Sequence, residues 1–119
     1  MGEFPLRDRT KALALRIIKL VSSMPPNVIG DVIGRQLLRS GTSVGANYRA
    51  SMRAKSRADM INKLKIVEEE ADETIYWLEL LVDGNIMPEQ RLNPLKTEVE
   101  EILSMTVSSI KTLRAGGRS

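Results

Sequence analysis

Charged side chains are the residues of this sequence best able to do chemistry, and they are sorted by sign along the chain. Between positions 35 and 65, eight basic residues stand against one acid, Asp59, and Lys and Arg are the residue types that bind nucleic-acid phosphates. From position 66 to position 101 the balance reverses, with eleven acids against two basic residues. This asymmetry can serve a polyanionic partner, or it can let the basic face of one subunit meet the acidic face of another. For each basic residue a solvated face or a salt bridge is the alternative. The candidate nucleic-acid-binding residues are Arg35, Arg39, Arg49, Arg53, Lys55, Arg57, Lys63 and Lys65.

The acidic stretch also admits two interpretations. Glu69 and either Asp72 or Glu73 share a helix face and could bind a metal, but a dinuclear site would need inward acids on other helices, which offer few. A solvated or intersubunit acidic face is therefore the preferred interpretation. Tyr76 and Trp77 follow directly; they could stack on a base, although such a pair near a helix end more often packs in a core or an interface.

The sequence contains no histidine and no cysteine. Without them it has no Ser-His or Cys-His nucleophile pair, no Glu-x-x-His di-iron motif, no ordinary zinc site and no disulfide. It also lacks a glycine-rich phosphate loop. We therefore predict a protein that is not an enzyme and that uses neither a cofactor nor a metal. The apolar runs are too short for a membrane span and no secretory signal is visible, so a cytoplasmic location is predicted.

Four amphipathic helices are the elements that must position these side chains. Apolar residues recur at the i, i+3, i+4 spacing in four segments, which breaks rich in Pro, Gly and Ser separate. Asn27 can cap the second helix, and Ser56 with Asp59 resembles a capping box that opens the third. The helices are predicted over about residues 7–23, 27–53, 56–82 and 93–113. The short connections favour an all-α, up-down-up-down antiparallel four-helix bundle over residues 7–114. Residues 1–6 are expected to be disordered or a cloning remnant, and residues 115–119 a flexible tail.

Residues facing the core follow from the same periodicity. Those predicted are Leu13, Ala14, Ile17, Ile18, Val21 and Met24 in the first helix, Ile29, Ile33, Leu37, Ser40, Val44, Asn47 or Tyr48, and Ser51 or Met52 in the second, Met60, Leu64, Val67, Ala71, Ile75, Leu78 and Leu81 in the third, and Leu95, Val99, Ile102, Leu103, Thr106, Ile110 and Leu113 in the fourth.

Small residues line one side of the second helix. Gly41 and Gly45 lie one turn apart, and each glycine inside a helix costs about 1 kcal/mol relative to alanine. A close approach by a neighbouring helix can offset that cost through dispersion contacts. We therefore predict close packing at Ser40, Gly41 and Gly45, either within the bundle or between subunits. Asn47 interrupts the apolar stripe and is expected to bond to a neighbouring backbone or to the third helix, or to face a ligand.

Three blocks of sequence carry a resemblance to a known family. They are QLLRSGTSVGANY at 36–48, SRADMINKL at 56–64 and ADETIYWL at 71–78. In this order they resemble the bacterial four-helix-bundle family of 23S rRNA intervening-sequence proteins. The resemblance implies a bundle that assembles into a ring, typically a homopentamer, in a family whose members have no settled biochemical activity. A relative of this family, the accessory variability determinant protein of diversity-generating retroelements, has a basic surface and binds nucleic acid and a reverse transcriptase.

The resemblance also assigns expected roles to residues. The polar positions that match the family's signature are expected to be structural, at interfaces between helices or subunits, and the two glycines and the tryptophan join them. These expected structural or interface residues are Gln36, Arg39, Ser40, Gly41, Ser43, Gly45, Asn47 and Trp77.

Two functions remain after these exclusions. The first is a non-enzymatic oligomeric bundle whose basic surface binds RNA or DNA phosphates. The second is an assembly or adaptor scaffold without a nucleic-acid role, whose basic and acidic segments pair across subunit boundaries. The expected partners are further copies of the chain, RNA or DNA, and a reverse transcriptase or another protein, with no membrane.

Overall fold

Four α-helices joined by short turns make up the computed structural model, which describes residues 5–116. The helices are α1 (Pro5–Ser22), α2 (Val28–Ser51), α3 (Arg57–Asp83) and α4 (Glu89–Arg114). Each helix packs against the next, and α1 also contacts α4, which closes the bundle. The predicted all-α four-helix bundle is confirmed. Among residues 5–116, none of the helices has an apolar stretch sufficient to cross a membrane.

Side chains fix the starts of α2 and α3. The Asn27 side chain accepts a hydrogen bond from the backbone N–H of Gly30 at 2.8 Å, and the Ser56 hydroxyl accepts one from the N–H of Asp59 at 3.0 Å. These bonds satisfy donors that have no partner inside the helix. The carboxylate of Asp59 reaches back to accept a bond from the N–H of Lys55 at 3.1 Å, which completes a variant of the capping box. Both caps lie where the sequence predicts them.

Both outer helices begin earlier than predicted. The fourth helix starts at Glu89 rather than at about residue 93, with Pro94 inside it. Burial of Leu92, which is 1% exposed, favours this additional turn. Pro94 lacks the N–H that would bond to the carbonyl of Gln90, but Gln90 is exposed and its carbonyl can bond to water.

The first helix starts at Pro5, and a proline is well tolerated in a first turn. Leu6 is 5% exposed and belongs to the core, so the expectation of a disordered segment is wrong for this residue. Residues 1–4 and 117–119, which complete the two predicted terminal segments, lie outside the described residues. Ala115 and Gly116 form an exposed turn after α4.

The core agrees with most of the predicted stripes, but two isoleucines are exposed, and Met60 and Leu113 are only partly buried and lie outside the core cluster. Ile18 is 46% exposed and Ile29 is 56% exposed, whereas Leu20 and Thr10 are buried in α1. Apolar residues are adjacent at positions 17–18, so the sequence allows more than one stripe in α1, whereas at the start of α2 both Val28 and Ile29 are exposed. Packing against α2 selects Ile17 instead of Ile18, because Ile17 lies against a glycine.

Gly41 and Gly45 of α2 face α1. A Cβ atom added to Gly41 would lie 2.8 Å from Cγ1 of Ile17, and one added to Gly45 would lie 3.3 Å from the backbone oxygen of Thr10. The close approach inferred from these glycines therefore occurs inside the bundle, between α1 and α2. It brings the first two turns of α1 beside the last turns of α2, where Arg49 lies, with Arg53 and Lys55 directly after the helix.

Candidate nucleic-acid interface

Arg39, one of the candidate phosphate-binding residues, belongs to an ion-pair network between α2 and α3. Its guanidinium contacts the carboxylate of Glu70 at 3.2 Å and that of Glu73, and its Nε donates to the side-chain oxygen of Gln36 at 3.2 Å. The indole Nε1 of Trp77 donates to Glu73 at 3.1 Å. Carboxylates of α3 therefore neutralise Arg39, which links two helices.

The remaining polar signature positions also make bonds within the bundle. The hydroxyls of Ser40 and Thr74 lie 2.9 Å apart and are fully buried between α2 and α3. The amide nitrogen of Asn47 donates to the backbone oxygen of Ser43 at 2.9 Å and to its hydroxyl at 3.0 Å. Of the interpretations open for Asn47, the structure displays a bond to the backbone of its own helix.

Four candidate basic residues line one groove at the C-terminal end of α2 and the start of α3. This groove, here called the α2–α3 groove, has a volume of about 550 Å³, which is large enough for a phosphate group with its sugar. Its small residues are Ala46 and Ala50. Its basic residues are Arg49, Arg53, Lys55 and Lys63.

Asp59 is the carboxylate in this groove, and it holds a basic residue in place. It lies 3.0 Å from the ammonium of Lys63. The hydrogen bond from the backbone N–H of Lys55, and then the bond from Lys63, hold the pKa of Asp59 below its usual value, so this carboxylate is charged at neutral pH. Lys63 is thereby fixed at the rim of the groove.

The other candidate basic residues lie elsewhere. Arg35 is exposed on α2, further toward its N-terminus. Arg57 faces a neighbouring concave surface, which meets the α2–α3 groove at Lys55 and is also lined by Met52, Met60 and Leu113. Lys65 lies between α3 and α4 in an acidic groove, whose carboxylates belong to Glu68, Glu69 and Asp72. The structure therefore does not bring Arg35, Arg39, Arg57 or Lys65 into the α2–α3 groove.

Two basic residues that the sequence analysis missed adjoin the α2–α3 groove from α1. Arg7 and Lys11 line a second groove of about 370 Å³, here called the α1–α2 groove, together with Arg49. Gly45 and Thr10 form part of its surface. The i, i+4 spacing of Arg7 and Lys11, which matches that of Arg49 and Arg53, was the available signal.

Arg9 lies between these two basic residues in sequence but points to another helix. Its guanidinium contacts Glu98 at 2.7 Å and Glu101 at 2.6 Å, both in α4. Hydrogen bonds to these carboxylates, first that to Glu98, raise the pKa of Arg9, and the bond from Arg9 lowers the pKa of Glu98. Arg9 therefore ties α1 to α4, whereas Arg7 and Lys11 are exposed at the groove.

The carboxylates of α3 and the pair Tyr76 and Trp77 were the other candidates for binding a ligand, a metal ion and a base respectively. Among residues 5–116, no group of three or more carboxylates is placed to hold a metal ion. Glu73 instead contacts Arg39 and Trp77. The ring centroids of Tyr76 and Trp77 are 5.1 Å apart in an edge-on arrangement, and Tyr76 is 52% exposed.

Several large apolar side chains are exposed on α1 and on the first turns of α2. Large apolar side chains are normally exposed singly, whereas here five occur on two neighbouring helices. We call this set the apolar surface; it comprises Leu15, Ile18, Val28, Ile29 and Val32, which are 46–77% exposed.

Comparison with known proteins agrees with this architecture. The chain matches the family model described as 23S rRNA-intervening sequence protein over residues 4–108. It is similar to a protein of unknown function from the S23 ribosomal protein family of Bacteroides thetaiotaomicron VPI-5482, whose crystal structure is 40% identical in sequence. That alignment covers 90% of this chain and 99% of the other, with a TM-score of 0.85. No curated protein gave a significant match.

Proposed function

The chain belongs to the family of 23S rRNA-intervening sequence proteins, and on that premise we propose that it is a non-enzymatic, oligomeric bundle that binds RNA or DNA phosphates. The observation that carries this proposal is the convergence of Arg49, Arg53 and Lys55 in the α2–α3 groove without a salt bridge to any carboxylate of residues 5–116. Like charges that are held together repel one another, and an anion entering the groove relieves that repulsion. Phosphates fit this role because Arg and Lys bind them through charge-assisted hydrogen bonds.

The contrast with the other basic residues supports this proposal. Arg9 and Arg39 each contact two carboxylates and connect helices. Their charge is used inside the bundle, whereas the charge of Arg49 and Arg53 is available to solvent. Because no base-reading motif accompanies these two residues, recognition is proposed to be largely independent of sequence.

Oligomerisation is the second part of the proposal. The apolar surface on α1 and α2 is a candidate subunit contact, because burying it would remove five large apolar side chains from water. The family resemblance suggests a ring of five copies. A ring repeats each groove, and several weak phosphate contacts on one nucleic acid combine into a higher overall affinity.

A salt-dependent binding titration tests this function. Fluorescently labelled structured RNA and duplex DNA would be titrated with the protein at several salt concentrations, with light scattering to record the assembly state. We expect the logarithm of the association constant to fall linearly with the logarithm of the salt concentration. Arg49→Gln with Arg53→Gln should reduce the slope, whereas Lys65→Gln with Lys111→Gln removes the same charge elsewhere and should leave the slope unchanged. If the intact protein binds neither nucleic acid at low salt, the proposal is wrong.

An assembly scaffold is the second candidate function, and the apolar surface favours it. On this alternative the protein acts through protein–protein contacts alone. Val28→Ser with Val32→Ser should then dissociate the oligomer. Because the basic segment pairs with the acidic segment of a neighbouring subunit on this alternative, Arg49→Gln with Arg53→Gln should also dissociate it while the helices stay folded. Loss of nucleic-acid binding in the arginine variant with an intact oligomer would instead support the first function.

A further inference from the structure

We infer that the two grooves form one continuous basic channel across the exposed face of α2, and that this channel receives the sugar-phosphate backbone of a nucleic-acid duplex. This inference rests on the proposed function and deepens it by naming the extent of the site and the class of nucleic acid. It adds Arg7 and Lys11 of α1 to the site.

The continuity of the channel follows from shared residues. Ala46 and Arg49 line both the α1–α2 groove and the α2–α3 groove, so the two meet at this turn of α2. Together the grooves are lined by six basic residues and two carboxylates. One carboxylate, Asp59, is already paired with Lys63, which leaves Asp8 beside five unpaired cations. The six basic residues are Arg7, Lys11, Arg49, Arg53, Lys55 and Lys63.

The middle of the channel is made of small residues. Ala46 is exposed at its centre, Ala50 follows one turn later, and Gly45 lies against α1 without a side chain. A phosphate can therefore approach the surface of α2 while long cationic side chains contact it from both sides. The cations come from three helices and the turn after α2, and they lie on both sides of α2 instead of along a single line.

The placement of the aromatic side chains favours a duplex over a single strand. Proteins that bind single strands stack successive bases on aromatic side chains. Among residues 5–116, no aromatic residue lines either groove. Tyr48 is half-buried at a different concave surface beside Met60, and Tyr76 and Trp77 lie on α3 next to Glu73.

A duplex also matches the charge of the channel better than a single strand. Its two strands double the density of phosphates along the axis, and its backbone presents them without requiring contact with the bases. Within residues 5–116, α1 and α3 both pack on α2 and do not contact each other, so the two grooves flank α2 and can each contact a phosphate of a different strand. The shared chemistry is the paired backbone, whether RNA or DNA carries it.

Fluorescence anisotropy with matched oligonucleotides tests the inference. The probes are duplex RNA and duplex DNA of the same sequence, with unstructured oligo-U and oligo-dT of equal length, each titrated at several salt concentrations. The decisive variant is Arg7→Gln with Lys11→Gln, because both residues are exposed on α1 and Gln is a good helix former. The matched control is Lys65→Gln with Lys111→Gln, which removes two exposed cations outside the channel. Circular dichroism and light scattering verify that each variant keeps its fold and assembly.

Three results support the inference. Both duplexes, or one of them, bind more tightly than the single strands. The variant Arg7→Gln with Lys11→Gln lowers the magnitude of the salt slope for the duplex by about 1.8, since each lost phosphate contact is worth about 0.9. The Lys65→Gln with Lys111→Gln control keeps the wild-type slope.

Two results overturn the inference and leave the proposed function intact. If the Arg7→Gln with Lys11→Gln variant binds duplexes with the wild-type slope while Arg49→Gln with Arg53→Gln does not, the site excludes α1. If single strands bind as tightly as duplexes, the duplex is not the preferred ligand. Failure of the wild-type protein to bind any of the four probes would instead contradict the proposed function itself.

Discussion

Arg9 of α1 and Glu98 of α4 form a two-point ion pair: Nε lies 2.9 Å from Oε2 and Nη2 lies 2.7 Å from Oε1. Two parallel hydrogen bonds orient the pair more strongly than a single contact does. The contact between α1 and α4 is the smallest of the helix contacts in the bundle. The ion pair therefore supplies a large share of the polar contacts that hold these two helices together.

Arg9→Gln should lower the free energy of unfolding at neutral pH by about 1 kcal/mol, because the pair is only partly exposed. The folded state lowers the pKa of Glu98, so this stabilisation is complete above the pKa of an unfolded Glu, about 4.3, and is lost as the pH falls through the lower pKa of the folded state. Urea denaturation of both proteins at pH 7 and at pH 3 should show the difference at pH 7 and a smaller one at pH 3. Lys19→Gln, an exposed change elsewhere on α1, serves as the control; an equal difference at both pH values would contradict this assignment.

Gly41→Ala should destabilise the bundle although alanine favours a helix. The new Cβ would lie 2.8 Å from Cγ1 and 3.0 Å from Cγ2 of Ile17, and such overpacking costs about 1–3 kcal/mol, more than the propensity gain of about 1 kcal/mol. Gly34→Ala is the matched control, because its Cβ would meet Cγ1 of Val21 at 3.4 Å, an ordinary contact. Thermal denaturation should give a lower melting temperature for Gly41→Ala and an unchanged or higher one for Gly34→Ala. A bundle stabilised by Gly41→Ala would show that α1 can move away freely.

Ser40 and Thr74 should be coupled in stability. Thr74→Val leaves the buried hydroxyl of Ser40 with only a weak contact to the Leu37 carbonyl at 3.4 Å, so we expect a loss of about 1–2 kcal/mol. Adding Ser40→Ala removes the stranded hydroxyl, and the double variant should lose less than the sum of the two single changes. Equilibrium unfolding of all four proteins in a double-mutant cycle measures this coupling, and simple additivity would show that the bond contributes nothing.

Arg39 and Arg53 should separate stability from binding, although each substitution removes one positive charge from α2 or from the turn that follows it. Arg39→Gln breaks the contacts to Glu70 and Glu73 and should lower the free energy of unfolding by about 1 kcal/mol without changing the salt slope of nucleic-acid binding. Arg53→Gln should leave stability unchanged and reduce that slope by about 0.9. Urea denaturation and anisotropy titration of both variants check the two expectations. If Arg39→Gln instead reduced the salt slope and left stability unchanged, Arg39 would have to release Glu70 and Glu73 and contact phosphate.

Local signals were sufficient to predict much of this fold. Asn27 and Ser56 are caps whose bonding partners lie three residues away, and the apolar periodicity depends on neighbours within two turns. The family resemblance also follows from contiguous blocks. Where two stripes were equally possible, as at Ile17 and Ile18, the choice depended on which helix packs alongside, and a local pattern does not contain that information.

The candidate site was predicted less completely for the same reason. Arg39 looked equivalent to Arg49 in sequence, yet its carboxylate partners are 31 and 34 residues away and meet it only in the folded bundle. Arg7 and Lys11 are far from Arg49 along the chain and adjoin it only because α1 packs on α2. Sequence supplied the types of the charged residues, and the packing of the helices decides which of them remain available.

The absence of a side chain at Gly45 also affects the width of the channel. Arg7 and Lys11 line the α1 side of the α1–α2 groove and Arg49 lines its α2 side. The distance between the two sides depends on how closely the helix backbones approach at Thr10 and Gly45. A larger residue at position 45 would contact Thr10 and push α1 away from α2, so it would widen the groove even without touching a ligand. The absence of a side chain at Gly45 therefore helps to set how far the cations of α1 lie from Arg49 of α2.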